Sequence, residues 1–231
     1  LITNAKKSLE AGCNLVLYCS GNIDDNFKLV SKNNIFFFKI YPKNTDKEFV
    51  KFQIDILYSL KKNKKTSSNT PTLNGNVIGS FQDKDNNLRF FRMNSWIEGR
   101  LWSKVNPINK SLRFELGEIS AKILNELKKV KKGYLREKFD WDLQNFLWTE
   151  KYINEIDISK RNVVKKLISN FKHQEEKYKQ LRKSIIHNDI NDNNIIVSED
   201  LKVPSINGII DFGDCTHTQL INEVAILCTY A

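Results

Sequence analysis

Two short polar motifs, each abutting a β-branched run, constrain this chain more than any other feature. His187, Asp189 and Asn194 stand in the order H-x-D-x-x-x-x-N within SIIHNDINDNNIIV, and Asp211, Phe212 and Gly213 follow in GIIDFGD. The flanking runs, Ile195 to Val197 and Ile209 to Ile210, read as short strands that hold a polar loop and an acidic turn side by side. Either motif alone is most simply a solvated turn. The two in order, both flanked by strands, point to one site.

The residue types suit phosphoryl transfer, which asks a protein mainly to position groups and neutralise phosphate charge. Asp189 can orient an acceptor hydroxyl or take its proton. Asn194 and Asp211 offer hard oxygens of the kind Mg²⁺ prefers. His187 is placed to brace the loop rather than to react, and Gly213 allows a turn that a side chain would obstruct.

This constellation resembles the protein kinase-like fold. Asn188 at the second loop position, and Asp214 directly after the turn, make it more similar to the aminoglycoside phosphotransferase and choline kinase superfamily than to eukaryotic protein kinases. HNDINDNNIIV, GIIDFGDCTHTQLINEVAI and FDWDLQNFLWTEKY together are most similar to the hydroxylysine kinase branch and to kinase domains fused to class III aminotransferases. Asn188 departs from the usual glycine of that loop. If the position has positive φ, asparagine is the least costly replacement.

The resemblance assigns further residues. Lys39, in FFFKI, matches the family's phosphate-contacting lysine, and Ser95 to Ile97 match the hinge whose backbone would hydrogen-bond a purine. Trp96 there would stack on the base or pack between lobes. Gln53 falls where the fold usually places a glutamate that orients the lysine, with Asp55 and Glu48 as alternatives. The first turn has no G-x-G-x-x-G; SGNIDDNF stands in its place, so backbone amides and small polar side chains would cover the phosphates.

Periodicity supplies the surrounding elements. Asn14 to Tyr18, Asn26 to Val30, Ile35 to Ile40, Asn76 to Phe81 and Leu88 to Met93 read as five antiparallel strands. Thr45 to Lys61 reads as a helix with a Thr45–Glu48 capping box and a face of Phe49, Phe52, Ile56, Leu57 and Leu60. Lys61 to Thr70 reads as a loop. Three further helices are expected: one from Lys110, with Leu112, Leu116, Ile119, Ile123, Leu124 and Leu127 inward and Gly133 as a stop; one over FDWDLQNFLWTEKYI; and one carrying Val163, Val164, Leu167, Ile168, Phe171, Tyr178 and Leu181.

The expected architecture is therefore α+β: a kinase-like bilobal fold with a five-stranded antiparallel lobe over residues 1–95 and a mainly helical lobe over 96–231. Opening at Leu1 and stopping within EVAILCTYA, the chain reads as a fragment whose C-terminal lobe is incomplete. With 40% hydrophobic and 28% charged residues it has an ordinary globular composition, and no apolar run suits a membrane span. Cys13, Cys19, Cys215 and Cys228 lack C-x-x-C spacing; reduced thiols and a cytoplasmic location are the simpler reading. The net charge of +10 is spread over scattered lysines without interleaved aromatics, so nucleic acid is not an expected partner.

The resemblance implies transfer of the γ-phosphoryl group of GTP or ATP, with Mg²⁺, to a hydroxyl of an amino alcohol, hydroxylysine first. Choline, ethanolamine, homoserine and aminoglycosides are alternative acceptors, and a catalytically impaired nucleotide-binding homologue is the alternative outside catalysis. Asp214 would pair with a substrate ammonium or fix the loop. Spacing leaves oligomeric state undetermined.

Overall fold

A computed structural model describes residues 15–19, 24–72, 74–130, 134, 136 and 139–231. The expectations for Cys13, Asn14, residues 20–23 and Gly133 lie outside these residues.

The first half is an antiparallel sheet of β1 (Leu15–Cys19), β2 (Asp25–Val30), β3 (Ile35–Ile40), β4 (Asn69–Thr70), β5 (Gly79–Gln82) and β6 (Leu88–Ser95). Its order is β1-β2-β3-β6-β4, with β5 also on β6. The five expected strands are present, and a two-residue sixth, β4, comes from the end of the segment read as a loop. Asn69 and Thr70 pair with Asn94 and Met93, so β6 has a partner beyond the reach of β5. The β2–β3 register sets Asn26 opposite Lys39 and Asp25 opposite Ile40.

Helix α1 (Lys47–Ser59) begins one residue later than a Thr45 cap would place it. Asp46 is the N-cap, accepting from the Glu48 N–H at 2.9 Å, while Thr45 Oγ1 donates to Pro42 O at 2.8 Å. Its buried face is wider than expected because α1 packs on two sides. Val50 and Ile54 meet Tyr41 and Phe90 of the sheet side. Phe52, Ile56 and Leu57 join a larger core with Leu112, Leu116 and Ile123. The segment after α1 also reaches across: Lys65 O accepts from Ile209 N at 2.9 Å, and Thr66 bridges Ile209.

The second half contains β7 (Arg100–Leu101), α2 (Lys110–Leu127), a 3-10 helix over Leu143–Glu155, α3 (Ile158–Lys179), β8 (Lys183–Ile186), β9 (Ile195–Val197), β10 (Ile206–Ile209), β11 (Thr216–Gln219) and α4 (Ile221–Tyr230). Asn109 caps α2, and five of its six expected inward residues are buried, Leu124 being half-buried. The segment FDWDLQNFLWTEKYI winds as a 3-10 helix rather than an α-helix, its start fixed by Asp142, which caps Gln144 N. On α3 only Ile168 is buried; Val163 and Leu167 stay exposed because no described element covers that side. No described helix is long and apolar enough to cross a membrane.

Two antiparallel pairs position the motifs: β8 with β11, and β9 with β10. The loop 187–194 runs from β8 to β9, and the turn 211–215 runs from β10 to β11. Both connections therefore link the same two ladders and lie beside each other. Ile210 N donates to Asn194 O at 3.0 Å, extending the inner ladder to the residue before Asp211.

Candidate active site

His187 is wholly buried, and its hydrogen bonds define its tautomer. Nε2 lies 2.9 Å from Ile210 O, which can only accept, and Nδ1 accepts the Asp189 N–H at 3.3 Å. Burial holds the imidazole's pKa below the ordinary value, against the opposing influence of the Ile210 carbonyl and of Asp211 and Asp214. A neutral ring, in tilted contact with buried Phe212 at a centroid distance of 4.6 Å, thus ties the loop to the turn.

Asp189 is held by its own loop. Oδ1 accepts from Asn191 Nδ2 at 2.8 Å and Oδ2 from Asn194 Nδ2 at 2.8 Å, while the same Asn194 amide donates to Asp189 O at 2.9 Å. Burial, and then the nearby Asp214 and Asp211 carboxylates, push its pKa up to about 6, although both asparagines favour the ionised form. With its Nδ2 so engaged, Asn194 keeps its side-chain oxygen available as a ligand.

The turn has an unexpected conformation. The left-handed residue is Asp211, at φ 60° and ψ 68°, and not the glycine. Gly213 is needed for closeness: a Cβ there would come within 3.0 Å of Asp211 Oδ1, which accepts the Gly213 N–H at 3.2 Å. Desolvation by the surrounding protein would raise the pKa of the half-exposed Asp211 carboxyl, but Lys39, the Gly213 N–H and Arg92 outweigh it and hold the carboxyl below its ordinary value. An ionised carboxylate and a free carboxamide oxygen are hard donors, so the chemistry of Asp211 and Asn194 fits a hard divalent cation.

Lys39 is buried, with Nζ 2.6 Å from Asp24 Oδ2 and 3.9 Å from Asp211 Oδ1. Gln53 goes elsewhere. Its Oε1 accepts from Tyr41 OH at 2.7 Å and its Nε2 donates to Gly213 O at 3.3 Å. Arg92 Nε donates to the same Tyr41 oxygen at 2.7 Å. Of the alternatives, Glu48 pairs with Lys51, and Asp55 is exposed on the outer face of α1.

At the connection after β6, the Ser95 N–H is taken by Ser68 O at 2.9 Å, and Ser95 Oγ accepts from Ser68 N at 2.9 Å. Ile97 packs over Gly208, and among the described residues its backbone N–H and carbonyl have no hydrogen-bond partner. Trp96 is half-buried with Lys28 Nζ 4.4 Å from its ring centroid.

Asp214 pairs with Arg136 at 3.2 Å, and Arg136 also donates to Gly213 O at 3.1 Å. The guanidinium lies between Phe49 and Phe139, 4.3 and 4.2 Å from their centroids. Behind the loop, buried Glu223 of α4 accepts the N–H groups of His187 and Asn188. Asn188 has φ 68°, the left-handed conformation that favours glycine or asparagine. Buried Cys215 has its thiol pKa pushed well up by burial and by Glu223 and Asp214, as suits a packing residue.

Sequence reasoning named Lys39, Asp189, Asn194 and Asp211, which the fold gathers around one turn. It missed Asp24, Arg136 and Glu223. Glu223 had a signal, a lone acid in the apolar run LINEVAIL; Asp24 becomes visible only through the β2–β3 register, and Arg136 had none.

The sequence matches the family described as "Phosphotransferase enzyme family" (APH) over residues 16–231. It is similar to hydroxylysine kinase of Mus musculus, 32% identical over 150 residues, covering 60% of this chain and 40% of that protein. The hydroxylysine kinase of Bos taurus is 31% identical over the same shares. The chain thus spans about 40% of the length of these relatives. Among solved structures it resembles a microcompartment-associated aminopropanol kinase (TM-score 0.74, 14% identity, 98% of this chain and 74% of that one). It also resembles the amicoumacin kinase hAmiN in complex with AMP-PNP, Ca²⁺ and Ami (TM-score 0.67, 16% identity, 96% and 67%). A kinase-like α+β fold and a family match along nearly the whole chain agree: this chain belongs to the phosphotransferase enzyme family.

Proposed function

We infer that the chain is the nucleotide- and metal-handling part of a kinase that moves the γ-phosphoryl group of ATP or GTP to a hydroxyl of an amino alcohol. Residues 1–95 form the nucleotide-binding lobe in this reading, and 96–231 the helical lobe. The observation that carries it is the Asp189 carboxylate, fixed by Asn191 and Asn194 beside the turn whose Asp211 faces Lys39 of β3.

Asp189 orients the acceptor hydroxyl and, once ionised, accepts its proton. Lys39 neutralises phosphate oxygens as a point charge. Asn194 and Asp211 would hold Mg²⁺, which would screen the charge on the phosphates. The Ile97 backbone supplies a donor and an acceptor for the base, and His187 keeps loop and turn in register. Gln53 supports the turn through Gly213.

Hydroxylysine is the acceptor favoured by the similarity to hydroxylysine kinases. The binding-only alternative draws on Gln53 and on the absent glycine-rich turn; against the first of these, a carboxylate beside Lys39, supplied by Asp24, favours turnover. Nucleotide diphosphate release should be measured against hydroxylysine, choline, ethanolamine, homoserine and an aminoglycoside, each with ATP and GTP. Strong preference for another acceptor removes hydroxylysine. Nucleotide binding without turnover of any acceptor, unchanged in Asp189→Asn, removes catalysis.

A further inference from the structure

The lysine that faces the turn has an anionic partner, but not from the helix where one is expected. α1 contributes Gln53, a neutral amide already engaged at both ends by Tyr41 and Gly213. A buried ammonium needs a paired charge, and Lys39 finds it 2.6 Å away on Asp24, just before β2.

Strand register explains why. Asn26 stands opposite Lys39, and directly opposed residues project to the same face. Asp24, two residues before Asn26, shares that face because side chains alternate along a strand. Its neighbour Asp25 projects to the other face and pairs with Arg89 at 3.1 Å. Two adjacent aspartates thus serve opposite faces, and only the first reaches the site.

We propose that Asp24 is the positioning residue for Lys39, aiming the ammonium at the nucleotide phosphates from the β2 side of the sheet. This rests on the kinase reading above. The lysine's aim is then set by a register inside one sheet and is independent of where α1 sits, while α1 is tied through Gln53 to the Asp211–Gly213 turn.

The pair Asp24→Asn and Asp25→Asn tests this, since the two variants remove the same charge one residue apart. Asp24→Asn is expected to lower kcat/KM for nucleotide by about ten- to a hundredfold, the worth of a charge-assisted contact, with a normal unfolding transition. Asp25→Asn should stay within about twofold. Moving the acid to α1, in Asp24→Asn/Gln53→Glu, should recover part of the loss, which a merely structural role for Asp24 would not allow. Equal effects of the two single variants, or no effect of Asp24→Asn, overturn the proposal.

A second readout separates this from failure of the kinase reading. Acetylation of Lys39 by acetic anhydride, followed by peptide mass spectrometry, should rise severalfold in Asp24→Asn and not in Asp25→Asn, with other lysines unchanged. If the wild-type chain neither binds nor turns over nucleotide, the kinase reading fails, and unchanged Lys39 acetylation in Asp24→Asn still overturns the pairing.

Discussion

Glu223 Oε2 lies 2.9 Å from the backbone nitrogen of Asn188, and Glu223 Oε1 lies 3.3 Å from that of His187, although the side chain is wholly buried. One carboxylate on the first turn of α4 thereby fixes the two residues that precede Asp189. Burial raises its pKa to about 7, the two N–H groups acting against the rise. Between the ordinary value of 4.5 and about 7, the folded chain holds a proton that the unfolded chain has released, so stability falls as pH rises through that window. The limit of this effect is roughly 3 kcal/mol.

Urea unfolding of wild type and Glu223→Gln at pH 5 and pH 8 checks this. The Gln variant should gain on wild type at the higher pH. Glu223→Ala should lose about 1–3 kcal/mol at both, since it leaves buried N–H groups unpaired.

Asp189→Asn should reduce turnover by about 10²–10⁴-fold while leaving nucleotide affinity nearly unchanged. In the wild type the group must be ionised to accept a proton, so kcat/KM should fall as pH drops through about 6. Steady-state kinetics from pH 5 to 8 should show that limb. A flat profile would remove Asp189 as the base.

Arg136 and Asp214 are partly exposed, so solvent screening limits their pairing to roughly 0.5–1 kcal/mol. A double-mutant cycle of Arg136→Ala and Asp214→Asn should return a coupling energy in that range. If Asp214 instead holds a substrate ammonium, Asp214→Asn will raise acceptor KM far more than Arg136→Ala does.

Asn188→Gly should be close to neutral. Glycine adopts φ 68° freely, and the change removes a side-chain oxygen that is buried without a partner, offset by loss of the 3.2 Å bond from Asn188 Nδ2 to Trp141 O. Asn188→Val should cost roughly 2 kcal/mol or more in thermal unfolding, because a β-branched side chain resists the left-handed region.

The strands, α1, α2 and both motifs were legible because local pattern determines them: β-branched runs, helical spacing and Asn/Asp turns. What the sequence concealed depends on one close local competition and otherwise on contacts between distant segments. Asp46 displaced Thr45 as a cap through a one-residue competition that spacing cannot rank. Val50 and Ile54 looked like part of no apolar face because α1 is packed on two sides. Val163 and Leu167 looked inward-facing, yet helical periodicity marks an apolar face without saying what covers it. At the site, the carboxylates that do chemistry sit in recognisable loops. Asp24 lies in SGNIDDNF and Glu223 in LINEVAIL, yet what each holds in place depends on a strand register and on the packing of a helix, which local pattern does not state.

The two ladders around the motifs are nested, β9–β10 inside β8–β11, which sets an order of assembly. The inner hairpin closes over a short loop, and once it has formed the outer pair brings its ends together at little further entropic cost. Asp189 and Asp211 can therefore meet early, through local contacts that form fast. Lys39 must arrive from the far end of the chain, carried by β3 of the other sheet. Pulsed hydrogen exchange should find β9 and β10 amides protected before the Lys39 contact forms, making the joining of sheet to hairpin the late step that completes the site.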